Sequence, residues 1–371
     1  MIPLNRPVIN NSNSVLSVDD FVSEQYFNLH YAVTFSARHG LWHIYQKIFE
    51  TYGRKTVAVS PLTCVEALHP IIDSGHEIHF VDIDPETLNM NESRIENGID
   101  IIQAIHFGGN PQNMNVIRGK GSWLIVEDCA QAFGSIFENK NVGQFGDFAA
   151  FSMMKNFYSL GGGLLLSKRK EYVQDISGNS FGIIPTFYRW LKRYLEKRCG
   201  QHDYLNTKLL VYMLGLKPEN VKVKLTSSNI NRIIEKSIER QLAISGPIIN
   251  NRILVAEKIR GLINGENLIP QKITNGSDSN FLRLFFVLRS GSTIEVVNKL
   301  RKYGIGANHL TQSFDHPYQE RLDRNKGLKK YIIKGKLPNY FELHDKIISI
   351  PVSPSLSNEE ISRIADCANE I

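Results

Sequence analysis

From about Thr56 onward, short apolar runs alternate with helix-like segments, and this alternation restricts the chain more than any other feature. The runs are TVAVS, EIHFVDID, IIQAIHF, WLIVEDCA, FAAFS and GLLLS. Several are apolar at consecutive positions, the pattern of strands whose two faces are both covered by helices. Between them lie stripes such as Leu41, Ile44, Tyr45, Ile48 and Phe49, which share one helical face and end near Gly53. The expectation is an α/β fold built on a large, mixed but mostly parallel sheet.

A second helical pattern runs through Ile230, Ile233, Ile234 and Ile238 to Leu242, with a break or kink predicted at Gly246-Pro247. Beyond about Ile248 follow a helix, the strand-like FLRLFFVL, a helix over Thr293 to Tyr303, IISIPVS and a terminal helix. The division expected is a large domain over residues 1–247 and a small α+β domain over residues 248–371. No internal repeat is evident.

A chain of 371 residues can bury the core that such a pair of domains needs. Cys64, Cys129, Cys199 and Cys367 are far apart, with no C-x-x-C pair, so neither a zinc site nor a disulfide framework is predicted, and a reducing cytoplasm fits. MIPLNRPVINN lacks the basic and apolar regions of a signal peptide, and no run approaches the ~18 apolar residues of a membrane span. The net charge of +6 comes from Phe187 to Leu225, which holds nine Lys/Arg against three acids.

In open α/β sheets, ligands sit beyond the carboxyl ends of the strands, so polar groups that follow a buried strand are the first candidates for chemistry. Glu127, Asp128 and Gln131 follow Trp123 to Val126, and Ser152 and Lys155 follow FAAF. A carboxylate and a lysine at adjacent strand ends suit pyridoxal phosphate, which needs a lysine for covalent attachment and an acid against its pyridine nitrogen. Gly161 to Gly163 would let the backbone turn tightly beside it. Taken singly, a lysine there is more often a solvated surface residue and an aspartate a helix cap. His106 and Glu127 read as structural.

A series of motifs changes that balance. FVDIDPETLNMN, HFGGNPQNM, VEDCAQAFGS, VGQFGDFAAFS, KYGIGANHL and LPNYFELHDKIISIPVSPSLSNEEISRI occur in order between Phe80 and Ile364. Together they resemble the DegT/StrS family of pyridoxal-phosphate-dependent sugar-nucleotide aminotransferases, which have the aspartate aminotransferase type of fold. The resemblance places Asp128 on the pyridine-nitrogen acid, Gln131 beside the cofactor ring, Ser152 on a phosphate-contacting serine and Lys155 on the Schiff-base lysine. His309 falls on a substrate-side histidine. It also implies a homodimer whose sites are completed from the neighbouring chain, here by Asn229 in SSNINR, with Asn231 then in the family's basic position. The substrates implied are an amino-acid donor, L-glutamate, and a keto-sugar nucleotide of surface polysaccharide or amino-sugar biosynthesis.

The chain departs from the pattern at three places. In SARHGL, Ala37 keeps a small residue at a helix start, but Arg38 stands where the family has threonine, and contact between its guanidinium and the cofactor phosphate is the expectation. Cys64 stands where an aromatic usually stacks on the pyridine ring. The connection from Ser152 to Lys155 is two residues shorter than usual. These departures leave two other readings open: a cofactor enzyme of the same fold with different chemistry, such as dehydration or a non-sugar acceptor, and a catalytically silent homologue that binds or regulates.

The basic segment 185–225 has no counterpart in the family pattern. FYRWLKRYLEKR, residues 187–198, reads as an amphipathic surface or dimer-contact helix, with peripheral membrane contact as the alternative. No recognition motif for nucleic acid accompanies the charge. Arg321 to Lys336 is a second basic stretch, read either as a loop or as a surface facing a nucleotide diphosphate.

Overall fold

The computed structural model describes residue 2 and residues 14–157, 159–174, 176, 230–310, 332–333 and 335–371. Asn229, the basic segment 185–225 with its helix-like 187–198, and most of the second basic stretch lie outside the described residues.

The first half of the chain supplies α1 (Val18–Gln25), β1 (His30–Thr34), α2 (Ala37–Tyr52), β2 (Thr56–Val59), α3 (Val65–Asp73), β3 (Glu77–Phe80) and β4 (Ile101–Ile105). There follow α4 (Met114–Lys120), β5 (Leu124–Asp128), the short β6 (Ile136–Phe137) and β7 (Lys140–Asn141), β8 (Phe148–Ser152), α5 (Met153–Asn156) and β9 (Gly163–Ser167). The second half contributes α6 (Arg232–Leu242), α7 (Ser245–Leu262), β10 (Leu268–Pro270), β11 (Ser277–Asp278), β12 (Leu284–Leu288), α8 (Thr293–Lys302) and β13 (Asn308–His309). It closes with β14 (Ile332–Ile333), α9 (Pro338–Leu343), β15 (Ile347–Ile350) and α10 (Asn358–Asn369).

Eight strands form the main sheet in the order β1-β9-β8-β5-β4-β2-β3-β14. The pairings from β8 through β14 are parallel, whereas β9 runs antiparallel to both β1 and β8. Consequently β1 points the same way as β8, and the carboxyl ends of β1, β2, β4, β5 and β8 share one edge. The central strands β4, β8 and β9 are buried at every position, which explains their unbroken apolar sequences.

Both faces of the sheet are covered. Leu41, Ile44 and Ile48 of α2 pack with Val57, Val59, Ile71 and Ile78 on one side. On the other, Phe21, Tyr26, Phe133 and Phe151 pack with Ile234 and Ile238 of α6. Burying a side chain the size of Phe151 stabilises the fold by about 2–3 kcal/mol. The α2 helix ends where the sequence places its stop, at Gly53, whose φ of 70° is the left-handed region that glycine tolerates.

The last third of the chain builds an antiparallel sheet, β10-β12-β15-β13, against α7, α8 and α10. The break expected at Gly246-Pro247 falls instead at Ala243–Ile244, and Pro247 lies in the first turn of α7. A proline costs little there because the first helical N–H groups have no intrahelical acceptor. The 247/248 border therefore lies inside α7. Two segments cross that division: Ile2 bridges to Ile305 in the small core, and β14 joins the edge of the main sheet beside β3. Among the described residues no helix is long and apolar enough to cross a membrane.

Candidate active site

The loops at the carboxyl edge of the main sheet bring most of the singled-out residues together. Asp128 is the last residue of β5 and is 6% exposed. Its Oδ1 accepts the Ala130 N–H at 3.1 Å. Burial pushes its carboxyl above the usual carboxylate range, while Lys155 and the Ala130 N–H pull it back. Lys155 is an exposed residue of α5, the single turn that follows β8, the neighbour of β5 in the sheet. The charge of Lys155 thus acts on a buried carboxylate at the end of the neighbouring strand, and a cation placed beside that carboxylate would favour its charged form.

Glu127 does other work. Its Oε1 accepts from the Phe145 and Gly146 N–H groups at 2.7 and 2.6 Å, and its Oε2 accepts from Gly143 N–H at 2.8 Å. His106 Nδ1 accepts the Gln112 N–H at 2.9 Å, so the ring proton sits on Nε2 and is donated to Glu127 at 3.2 Å. Cys129 lies beside them, and their ligand-type atoms fall within 4.8 Å of one another. Internal hydrogen bonds already engage both nitrogens of His106 and both oxygens of Glu127. The cluster is a buried brace that ties the end of β5 to β4 and to the 142–146 loop.

At the other end of the site, β1 leads into the N-terminus of α2, where Ser36 caps the helix without a side-chain hydrogen bond to its backbone. Ser152, buried at the end of β8, is in register with Gly163 of β9. A Cβ added at Gly163 would come within 2.5 Å of Ala37 N and Ser36 C. Only glycine lets β9 start this close to the helix, so Gly163 links Ser152, its partner in β8, to the start of α2. Gly162, at φ 102°, accepts the Met153 N–H and donates its own to Phe35 O, joining the lysine turn to the same helix start.

Arg38 pairs with Glu66 near the start of α3, the helix capped by Cys64. Its guanidinium is therefore engaged across the top of two helices. Gln131 is buried and accepts the Gly108 N–H through Oε1 at 3.0 Å. His309 lies half-buried in β13, where burial and then Arg301 lower its pKa. Asn231 caps α6, its Oδ1 accepting from Ile233 and Ile234 N–H.

Three residues of this region carry no sequence signature: Asn156, Arg252 and Asn280. Lone asparagines and a helix arginine match no chemical motif. Of the three, only Asn156 is marked by its place, next to Lys155.

Residues 20–369 match the sequence profile of the DegT/DnrJ/EryC1/StrS aminotransferase family. The chain belongs to this family. The lipopolysaccharide biosynthesis protein RfbH of Salmonella typhimurium is 30% identical over 320 residues, 80% of this chain and 69% of that protein. The sugar aminotransferase CalS13 of Micromonospora echinospora shares the fold at TM-score 0.70 and 16% identity, covering all of both chains. The Escherichia coli GDP-4-keto-6-deoxy-D-mannose-3-dehydratase with bound hydrated pyridoxal phosphate matches at TM-score 0.69 and 16% identity, over 91% of this chain and 87% of that one.

The cofactor that the family implies is pyridoxal phosphate, and the family member's site fits it. Asp128 is a desolvated acid whose carboxyl Lys155 draws toward its charged form, and the start of α2 and buried Ser152, which flank Gly163, are groups suited to a phosphate.

Proposed function

We propose that the chain is a pyridoxal-phosphate-dependent aminotransferase that moves an amino group from an amino acid, L-glutamate, onto a keto-sugar nucleotide in surface polysaccharide or amino-sugar biosynthesis. The observation that carries this reading is the electrostatic pairing of buried Asp128 with Lys155 at the ends of neighbouring parallel strands. Family membership supports the reaction class. The sugar and polysaccharide roles of the relatives support the acceptor.

When bound, pyridoxal phosphate supplies the electron sink that amino-group transfer needs. Asp128 would hold positive charge at the pyridine nitrogen. Lys155 would carry the cofactor and would hold or release a proton at its Nζ. Ser152 and the backbone N–H groups at the start of α2 would hold the phosphate. Gln131 would border the ring, and Cys64, at the start of α3, would present a small side chain there. Arg38 reaches the phosphate only by leaving Glu66, so the anchoring rests first on Ser152 and the α2 backbone. His309 and Asn229, the latter from a second copy, complete the substrate side in this reading. A cytoplasmic homodimer is the assembly we assign, in keeping with the free thiols of Cys64, Cys129 and Cys367.

The test is the visible absorbance of the chain incubated with pyridoxal phosphate, recorded before and after L-glutamate and repeated with Lys155→Ala. A band of lysine-bound cofactor that bleaches with glutamate, and is missing from the variant, is the expected result. Absence of that band from the parent chain overturns the role of Lys155.

The dehydratase of the same fold favours one other reading, in which the same residues serve removal of a sugar hydroxyl. Product mass separates the two, since transamination adds nitrogen to the sugar and dehydration removes oxygen.

A further inference from the structure

Helix α5 has four residues, Met153–Asn156, too few to hold itself together by its own hydrogen bonds. Lys155 sits on this turn, only three positions past the end of β8. Something outside the turn must fix where the lysine points.

The contacts of Asn156 answer this. Its side chain is 5% exposed, and Nδ2 donates to Ser152 O at 3.0 Å and to Ala130 O at 3.2 Å. One amide therefore closes the turn onto β8 and ties it to the segment that follows Asp128. Its Oδ1 accepts from Asn280 Nδ2 at 3.1 Å, and its backbone carbonyl accepts from Arg252 Nη2 at 2.9 Å. Every one of these partners comes from a different segment of the chain.

Both outer partners are themselves buried. Asn280 is fully buried, and its Nδ2 also reaches Gln131 O and Phe133 O at 3.1 and 2.9 Å. Its Oδ1 accepts the Leu282 N–H at 2.9 Å, and a Cβ at Gly109 would fall 1.9 Å from that oxygen. Between Asn280 and Leu282, Phe281 stands at φ 44°, a left-handed conformation that a bulky residue adopts only when its surroundings impose it. Arg252 of α7 is 5% exposed, and its Nη1 finds no acceptor among the described residues. Burial lowers its pKa to about 10, which leaves it charged at neutral pH. A residue serving packing alone would not carry a charge into this place.

Resting on the aminotransferase reading, we propose that Asn156, clamped by Asn280 and Arg252, is the positioning residue that sets Lys155 over Asp128. The elements leading into the small sheet thereby hold the lysine as well as the strands of the main sheet do. Asn156 acts through Lys155 and touches neither substrate nor cofactor.

The full-length chain, Asn156→Ala and Arg252→Met are compared by two measurements. The first is the fraction of bound pyridoxal phosphate that borohydride traps on Lys155, located by peptide mass. The second is amide hydrogen exchange across residues 153–157 without cofactor. Asn156→Ala is expected to lower the trapped fraction and to raise exchange in the turn, each about tenfold, while total cofactor affinity stays within about threefold. Arg252→Met is expected to move both in the same direction by a smaller factor. Because it removes a buried charge with one unpartnered donor, it retains the fold and decides the matter alone if Asn156→Ala does not fold. Folded variants with the parent's trapped fraction and exchange overturn the proposal. If the parent traps nothing on Lys155, the functional reading fails, and the exchange data still show whether the clamp holds the turn.

Discussion

Asp82 caps a helix that lies at the far end of the sequence: its Oδ1 and Oδ2 accept the N–H groups of Tyr340 and Asn339 at 2.9 and 3.0 Å. Helix α9 has no cap of its own, since Leu337 at its start offers no side-chain acceptor. Two blocks of the family pattern, FVDID and LPNYFELH, are thus joined by two charge-assisted hydrogen bonds in a buried place. Asp82→Ala is expected to cost about 2 kcal/mol in urea unfolding, with Asp82→Asn costing less because one acceptor oxygen remains.

Glu127 offers a sharper substitution. Glutamine has nearly the same shape but replaces one oxygen by an NH2 group, which would then face backbone N–H donors already aimed at that point. Glu127→Gln is expected to destabilise the chain by about 3 kcal/mol and to weaken cofactor binding through displacement of Asp128. Denaturant midpoints with and without pyridoxal phosphate check both.

For Asp128 the sign follows from burial. Its folded pKa lies above the unfolded value near 3.8, so the folded cofactor-free chain binds the extra proton. The stability this group contributes is complete below pH 3.8 and declines as pH rises toward the folded pKa. Asp128→Asn is therefore expected to stabilise the cofactor-free chain at neutral pH. The same variant is expected to lower amino-transfer turnover at least a hundredfold, roughly the weight of a positioned charge or proton partner. Thermal unfolding of the cofactor-free pair across pH tests the first statement and glutamate turnover the second. A neutral-pH loss of stability in Asp128→Asn would count against the electrostatic account.

Gly163→Ala tests the close approach of β9 to the start of α2. The new Cβ would press on backbone atoms of Ser36 and Ala37 at 2.5 Å, which no rotamer change relieves. A loss of about 2 kcal/mol of stability is expected, together with weaker binding of pyridoxal phosphate measured by equilibrium dialysis.

Much of this was legible in the chain because its signals are local. Consecutive apolar residues in FAAFS and GLLLS marked fully buried strands, and polar residues at their ends marked the edge where Asp128, Ser152 and Lys155 meet. The less legible features depend on partners distant in sequence. Nothing in SARHGL shows that Arg38 will find Glu66, a pairing created by the packing of α2 against α3. Nor does a proline carry its helix position with it, which is why the break lies at Ala243–Ile244 rather than at Gly246-Pro247. Asn280 and Arg252 gain meaning only once three loops have closed around Asn156.

The eighth strand of the main sheet also bears on how the molecule is made. Ile332 pairs with Ile78, with about two thirds of the chain between them, so the edge of β3 stays open on the ribosome until the final segment has emerged. An uncovered parallel edge beside a core of isoleucine and phenylalanine is an invitation to intermolecular pairing. Nascent or C-terminally clipped chains should accordingly aggregate through β3, and the last forty residues act as a seal on the sheet as well as a part of the smaller core.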